Sequence, residues 1–191
     1  MRYGCVMRTT IFDRLLELAA DHHGLVTTTD ARDADIDPAQ LRLLTSRGRL
    51  EHVSHGVYRV SAFPVDDLLP YAEAVAWSGG RGVVSHESAL AMRGLGDFNP
   101  SRIDVALPGD YFPRKQIPRT LRLHRERLLP ANIETVDGVA TVTVYTALKQ
   151  VITDGSDPYH VRRAVADAYK AGHIAAREAN RLRQAITRAA G

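Results

Sequence analysis

Apolar side chains recur at helical spacing near the start of the chain, at Ile11, Leu15, Leu16, Leu18 and Ala19. Thr10 precedes them and Asp13 follows three residues later, so a capped helix is predicted there, ended by Gly24. Thr27-Thr28-Thr29-Asp30-Ala31-Arg32 opens a short second helix. Asp37-Pro38 opens a third, with Asp37 as cap, Pro38 at the first helical position and Gln40 placed to close a capping box, and Gly48 stops it after Arg47. The period then changes. Leu50-Glu51-His52-Val53 and Val57-Tyr58-Arg59-Val60 read as strands joined by Ser54-His55-Gly56. Ser61-Ala62-Phe63-Pro64 reads as a link.

Beyond the link the pattern alternates between helix and strand. A helix is predicted over Leu68–Trp77, capped by Asp66 or Asp67, then a buried strand at Val83-Val84. Ser85 is placed as cap of a helix over His86–Arg93, with Ser88 where a capping box normally holds Glu. Strands follow at Ile103–Leu107 and Leu121–Arg125. Asp137-Gly138 is a hairpin turn, and Val142-Thr143-Val144 continues its second strand. A helix over Ala147–Ile152 and two closing helices, Pro158–Ala171 and Ile174–Ala189, complete the chain. The expected fold class is α+β. Residues 1–62 form a winged helix-turn-helix, and residues 63–191 a mixed α/β domain with a terminal helical pair.

The third helix gives this order a chemical meaning. Leu41 and Leu44 share one face, with Thr45 beside them. Arg42 and Ser46 lie opposite, flanked by Gln40 and Arg47. Arg and Gln read purine edges in a major groove, and Ser and Arg also hold phosphates. The net charge of +3 says little alone, but its distribution does. Residues 42–59 hold Arg42, Arg47, Arg49 and Arg59 against Glu51, with His52 and His55 among them. Such a local field suits a polyanion. The ribbon would bring Arg49, His52, His55 and Arg59 to backbone phosphates. Winged helices also serve as protein-interaction modules, and that alternative stays open here.

The run Leu41-Arg42-Leu43-Leu44-Thr45-Ser46-Arg47-Gly48-Arg49-Leu50, followed by His55-Gly56-Val57-Tyr58-Arg59-Val60, resembles the N-terminal winged helix of AbiEi-type antitoxins. Val84-Ser85-His86-Glu87-Ser88-Ala89-Leu90 and Gly94-Leu95 are similar to the same family, so the likeness extends over most of residues 9–152. The resemblance implies an antitoxin of a type IV toxin–antitoxin system. It implies autorepression through operator DNA, with self-association on repeated half-sites. It also implies a nucleotidyltransferase-like toxin as partner. The DNA-binding residues carried over at matching positions are Gln40, Arg42, Ser46, Arg47, Arg49, His55 and Arg59. Two other readings compete. In one the C-terminal part itself neutralises the toxin, by binding or by phosphoryl transfer; in the other the α/β part senses a small molecule.

Catalytic chemistry finds little footing. His86-Glu87-Ser88-Ala89-Leu90 begins like a zincin motif but lacks the second His. Gly79-Gly80-Arg81-Gly82 lacks the Gly-Lys-Ser/Thr of a phosphate loop. Asp104 lies on a strand as in a nuclease, but His124-Arg125-Glu126 has no Lys two residues on. His22-His23 reads as a helix end with imidazoles on its dipole. Cys5, the one cysteine, rules out a disulfide framework and a multi-cysteine zinc site. No catalytic residue, cofactor or metal site is therefore expected. No apolar run nears the ~18 residues of a membrane helix, and the N-terminus has no apolar signal core. A cytoplasmic protein with no membrane partner is the expectation, with Met1 or Met7 as its start. Arg162, Arg163, Lys170, Arg177, Arg181, Arg183 and Arg188 crowd the last two helices. That face is either solvated or a second surface for DNA or an acidic partner.

Overall fold

The computed structural model describes residues 10–189. Cys5 and both candidate start positions lie outside the described residues. The chain forms two compact units, one ending at Trp77 and the other beginning at Ser78. The fold class is α+β, as expected. No helix among the described residues is long and apolar enough to cross a membrane.

The first unit runs α1 (Ile11–Ala20), β1 (Leu25–Thr27), α2 (Thr28–Asp33), α3 (Pro38–Ser46), β2 (Leu50–Ser54), β3 (Val57–Val60) and α4 (Leu69–Trp77). The Thr10 and Asp37 caps read from sequence are made, whereas the capping box read for Gln40 does not form. Thr10 Oγ1 accepts from the Asp13 N–H at 3.1 Å while Asp13 accepts from the Thr10 N–H at 2.8 Å. Thr27 and Asp30 repeat that box for α2. Asp37 accepts from the Ala39 N–H at 2.8 Å and Pro38 fills the first position of α3. The strands form one sheet in the order β1-β3-β2, antiparallel throughout. β1 was not foreseen. Three residues between a glycine and a helix cap are too few to show alternation. Its core gathers Leu15, Ala19, Val26, Ala31, Ile36, Leu41, Leu50, Tyr58 and Val60.

α4 packs on β1 and β3. Asp66 fastens it twice. Its Oδ1 accepts from the Leu68 and Leu69 N–H groups at 3.0 and 2.8 Å, capping the helix. Its Oδ2 lies 2.7 Å from His23 Nδ1, in the turn after α1. So His23 serves as a tether to α4, where the sequence suggested a charge on the α1 dipole. Gly24, beside it, has φ +78, and a Cβ there would stand 2.7 Å from the Phe63 Cβ.

The second unit has a five-stranded mixed sheet in the order β6-β5-β4-β8-β7. Its strands are β4 (Val83–Val84), β5 (Ile103–Leu107), β6 (Leu121–Arg125), β7 (Ile133–Val136) and β8 (Val139–Val142). β4 is parallel to β8 and antiparallel to β5, β5 is parallel to β6, and β7 and β8 form the Asp137-Gly138 hairpin. Both turn residues have positive φ, +44 and +84, as a two-residue turn of this type demands. The helices are α5 (His86–Ala91), α6 (Val144–Thr153), α7 (Pro158–Lys170) and α8 (Ala176–Ala189).

Two expectations fail here. Thr143 and Val144 do not continue β8. Thr143 caps α6, its hydroxyl accepting from the Thr146 N–H, and Val144 turns inward as the first helical residue. Ser85 and Ser88 do not cap α5 through their side chains. Ser85 Oγ lies 3.0 Å from His86 Nδ1, and Ser88 Oγ accepts the Asp104 N–H at 2.8 Å, stitching α5 to β5.

The Asp66 carboxyl is held below its ordinary value of 3.8, chiefly by the hydrogen bond to His23. A carboxylate depressed in the fold adds stability that is present above its unfolded value and is lost as pH falls through the folded one. Asp66→Ala removes cap and tether together and should cost about 1–2 kcal/mol. Asp66→Asn keeps a capping oxygen and should cost less, with a deficit that shrinks below pH 4. Urea unfolding read by Trp77, the one tryptophan, checks both; equal losses at every pH would exclude the charged tether.

Candidate nucleic-acid interface

α3 is oriented by what it buries. Leu41 is its buried residue, and Leu44 and Thr45 are half-buried beside it. The remaining face points outward. Arg42, Leu43, Ser46 and Arg47 are exposed and Gln40 is half-buried at the flank. Three of the seven candidate residues, Gln40, Arg42 and Ser46, therefore lie along α3, and Arg47 follows as its C-cap. Neither Arg42 nor Arg47 has an ion pair among the described residues, so both guanidinium groups face solvent. Leu43, 39 % exposed between them, adds an apolar contact of the kind that meets a thymine methyl. The Ser46 hydroxyl donates back to the Leu43 carbonyl at 2.8 Å, which leaves its lone pairs as the outward feature.

The ribbon residues divide. His55 is exposed at the tip of the two-residue turn. Arg49 lies just after α3, its guanidinium 4.5 Å from the centre of the Phe12 ring of α1. That stacking holds the charge near the end of α3 while leaving the residue exposed. Arg59 stands apart. It faces Glu51 across the ladder and donates to Glu51 Oε2 from Nε at 3.2 Å and from Nη2 at 2.8 Å. It also donates from Nη1 to the Phe63 carbonyl at 3.2 Å. Its side chain is only 13 % exposed and its charge is met inside the ribbon. The sequence pattern shows four arginines in the patch; the fold turns one of them to structural work. Position-pair register is the signal that separates them, since Glu51 and Arg59 sit directly opposite.

The turn itself is anchored. The Gly56 carbonyl accepts from the Thr28 N–H, at the start of α2, at 2.9 Å. Gly56 has φ +76, and a Cβ there would meet Thr28 Oγ1 at 3.1 Å. The tip is thus fixed to the helix-turn-helix.

Residues 13–61 match the family described as "Transcriptional regulator, AbiEi antitoxin". The match runs from within α1 to the end of β3. The chain also resembles in fold the crystal structure of RV2827C protein from Mycobacterium tuberculosis, with a TM-score of 0.52 and 19 % identity, covering 94 % of this chain and 73 % of that one. No curated protein is significantly similar to it in sequence.

Gly56→Ala should cost about 2 kcal/mol or more, because left-handed backbone strain adds to the close Thr28 contact. Gly48→Ala, with φ +71 and open space around the Cβ, should show about 1–2 kcal/mol from the backbone alone. Equal losses in urea unfolding would mean that the turn is not held against α2.

Proposed function

We propose that this chain is a DNA-binding antitoxin that represses its own operon. α3 enters the major groove of the operator, and two copies occupy repeated half-sites. The observation that carries this reading is the outward face of α3, where Arg42 and Arg47 project without ion pairs from a helix whose opposite side is fixed by Leu41. The AbiEi match over residues 13–61 supports the regulator role. In this reading Arg42, Gln40 and Leu43 address base edges, and Ser46, Arg47, Arg49 and His55 address phosphates. Arg59 acts through the ribbon it holds. Residues 1–62 carry DNA binding and residues 63–191 the antitoxin role, against a nucleotidyltransferase-like toxin in the cytoplasm.

One observation favours a second surface. α8 buries Ala179, Leu182 and Ile186 and leaves Arg177, Arg181, Arg183 and Arg188 exposed. That face suits an acidic toxin surface, through which the second unit would neutralise its partner directly.

The test is operator binding by the full chain, with its own upstream DNA against scrambled DNA at several salt concentrations. Arg42→Ala should lower operator affinity by about ten- to a hundredfold and relax sequence preference. Arg47→Ala should weaken all DNA alike and reduce the salt slope by about 1. Arg59→Ala should lower stability before it alters the slope. Unchanged affinity in the Arg42 and Arg47 variants would refute the assignment of α3. Toxin neutralisation that survives in those variants but fails on charge reversal of Arg177 and Arg181 would select the direct route.

A further inference from the structure

The outward face of α3 has a finer order than its charge. Successive residues of a helix turn by ~100° and rise by ~1.5 Å. Ala39 stands two residues before Leu41 and Leu43 two after it, so each is turned ~200° from that buried side chain and points almost straight out. Ser46 lies a turn beyond Leu43 on the same side and is also exposed. Arg42 and Arg47 fall on opposite flanks of this line. The middle of the face is therefore apolar or small, and a guanidinium without an ion pair among the described residues stands on either side of it. Leu43 is the large apolar side chain there, 39 % exposed.

We propose that Leu43 reads the C5 methyl of a thymine in each operator half-site, and that Arg42 reads a guanine in the same stretch of groove. This deepens, and rests on, the assignment of α3 as the groove helix. Charge complementarity supplies the occupant. A major groove offers an apolar point on its floor, the thymine methyl, between two rows of phosphates. The helix offers the complement, an apolar point between two cations.

Reach divides the work between the side chains. Leu43 is short, so its methyl groups meet the floor only if the helix lies deep. Its neighbours on the line allow that. Ala39 ends at Cβ, and the Ser46 hydroxyl is turned back onto the Leu43 carbonyl at 2.8 Å. Arg42 is longer and set to the side. Its guanidinium reaches past the thymine to the N7 and O6 acceptors of a guanine, which match its paired N–H donors. Arg47, the C-cap of α3, stands at the end of the helix and keeps to the phosphates.

The experiment uses the full chain and its own upstream DNA, with affinity read by fluorescence anisotropy at fixed salt. Each thymine of the footprinted half-site is replaced in turn by deoxyuridine, which lacks only the methyl. Each guanine is replaced in turn by 7-deazaguanine, which lacks the N7 acceptor. One deoxyuridine position should weaken binding by about three- to fivefold, the worth of one buried methyl. One 7-deazaguanine position nearby should weaken it by about tenfold. Leu43→Ala should abolish the deoxyuridine effect and keep the 7-deazaguanine effect, and Arg42→Ala should do the reverse. Leu43 is exposed and Ala is the best helix former, so that variant keeps the fold. Arg47→Ala should leave both effects in place. Operator preference that no single deoxyuridine weakens, or a deoxyuridine effect that persists in Leu43→Ala, would overturn the methyl contact while leaving α3 as the groove helix. No preference for the upstream DNA over scrambled DNA would overturn the groove helix, and the methyl contact with it.

Discussion

The burial of Leu41 is the constraint on which the first unit turns. α3 has nine residues, and Leu41 is the one that the core takes in fully. It packs among Leu15 and Ala19 of α1, Ala31 of α2 and Leu50 of β2. A Leu in such a place is worth about 2–5 kcal/mol against Ala. Rotating α3 by a quarter turn would forfeit that and bury Arg42 instead. The outward direction of Arg42, Leu43, Ser46 and Arg47 is therefore a consequence of the core. Asp37 and Pro38 fix where the helix starts, and Gly48, with φ +71, fixes where it stops. Core packing sets the angle and the caps set the length, so chemistry on this face is delivered by residues that never touch a ligand.

The same logic separates charges that count from charges that are consumed. Arg59 and Arg47 are alike in sequence, and both lie in the basic run. Arg59 points along a strand whose partner presents Glu51 at the same register, and the two neutralise each other beside the Phe63 carbonyl. Glu73 of α4 completes this acidic and basic group. Its carboxyl is pushed up, by burial first, and Arg59 pulls it back down. Arg47 has no such neighbour at the end of α3. A count of basic residues thus overstates the interface, and cross-strand register corrects it.

Much of this was legible because it is local. The Thr10–Asp13 cap, the Asp37-Pro38 start and the Asp137-Gly138 turn each act within four residues, and each was read correctly. Ile103–Leu107 and Leu121–Arg125 were also read to their ends, since five-residue alternation is enough. β1 was missed for want of length. Thr143 was taken for strand because a β-branched residue fits a strand and a cap equally well, and only the Thr146 N–H decides between them. Ser85 and Ser88 failed for the opposite reason. Their hydroxyl groups found better partners across the fold than at the helix end.

The stack of His86 on His124 of β6, with Glu126 and Asp154 beside it, was out of reach for a stronger version of that reason. His86 was weighed against a second His four residues on, as a single helix would require. Its partners come instead from β6 and from beyond α6, elements that meet His86 only when α5 packs on β5 and α6. Nothing in spacing announces this. What does announce it is energetic. Asp104 is wholly buried on a strand otherwise made of Ile, Val, Ala and Leu, and His86 is buried in strained backbone. Desolvation, with His124 beside it, holds the His86 imidazole below its ordinary value. An apolar replacement of such a group is often neutral or stabilising in a core. Here the groups answer one another instead, and their hydrogen bonds tie α5 to β5, β6 and α6.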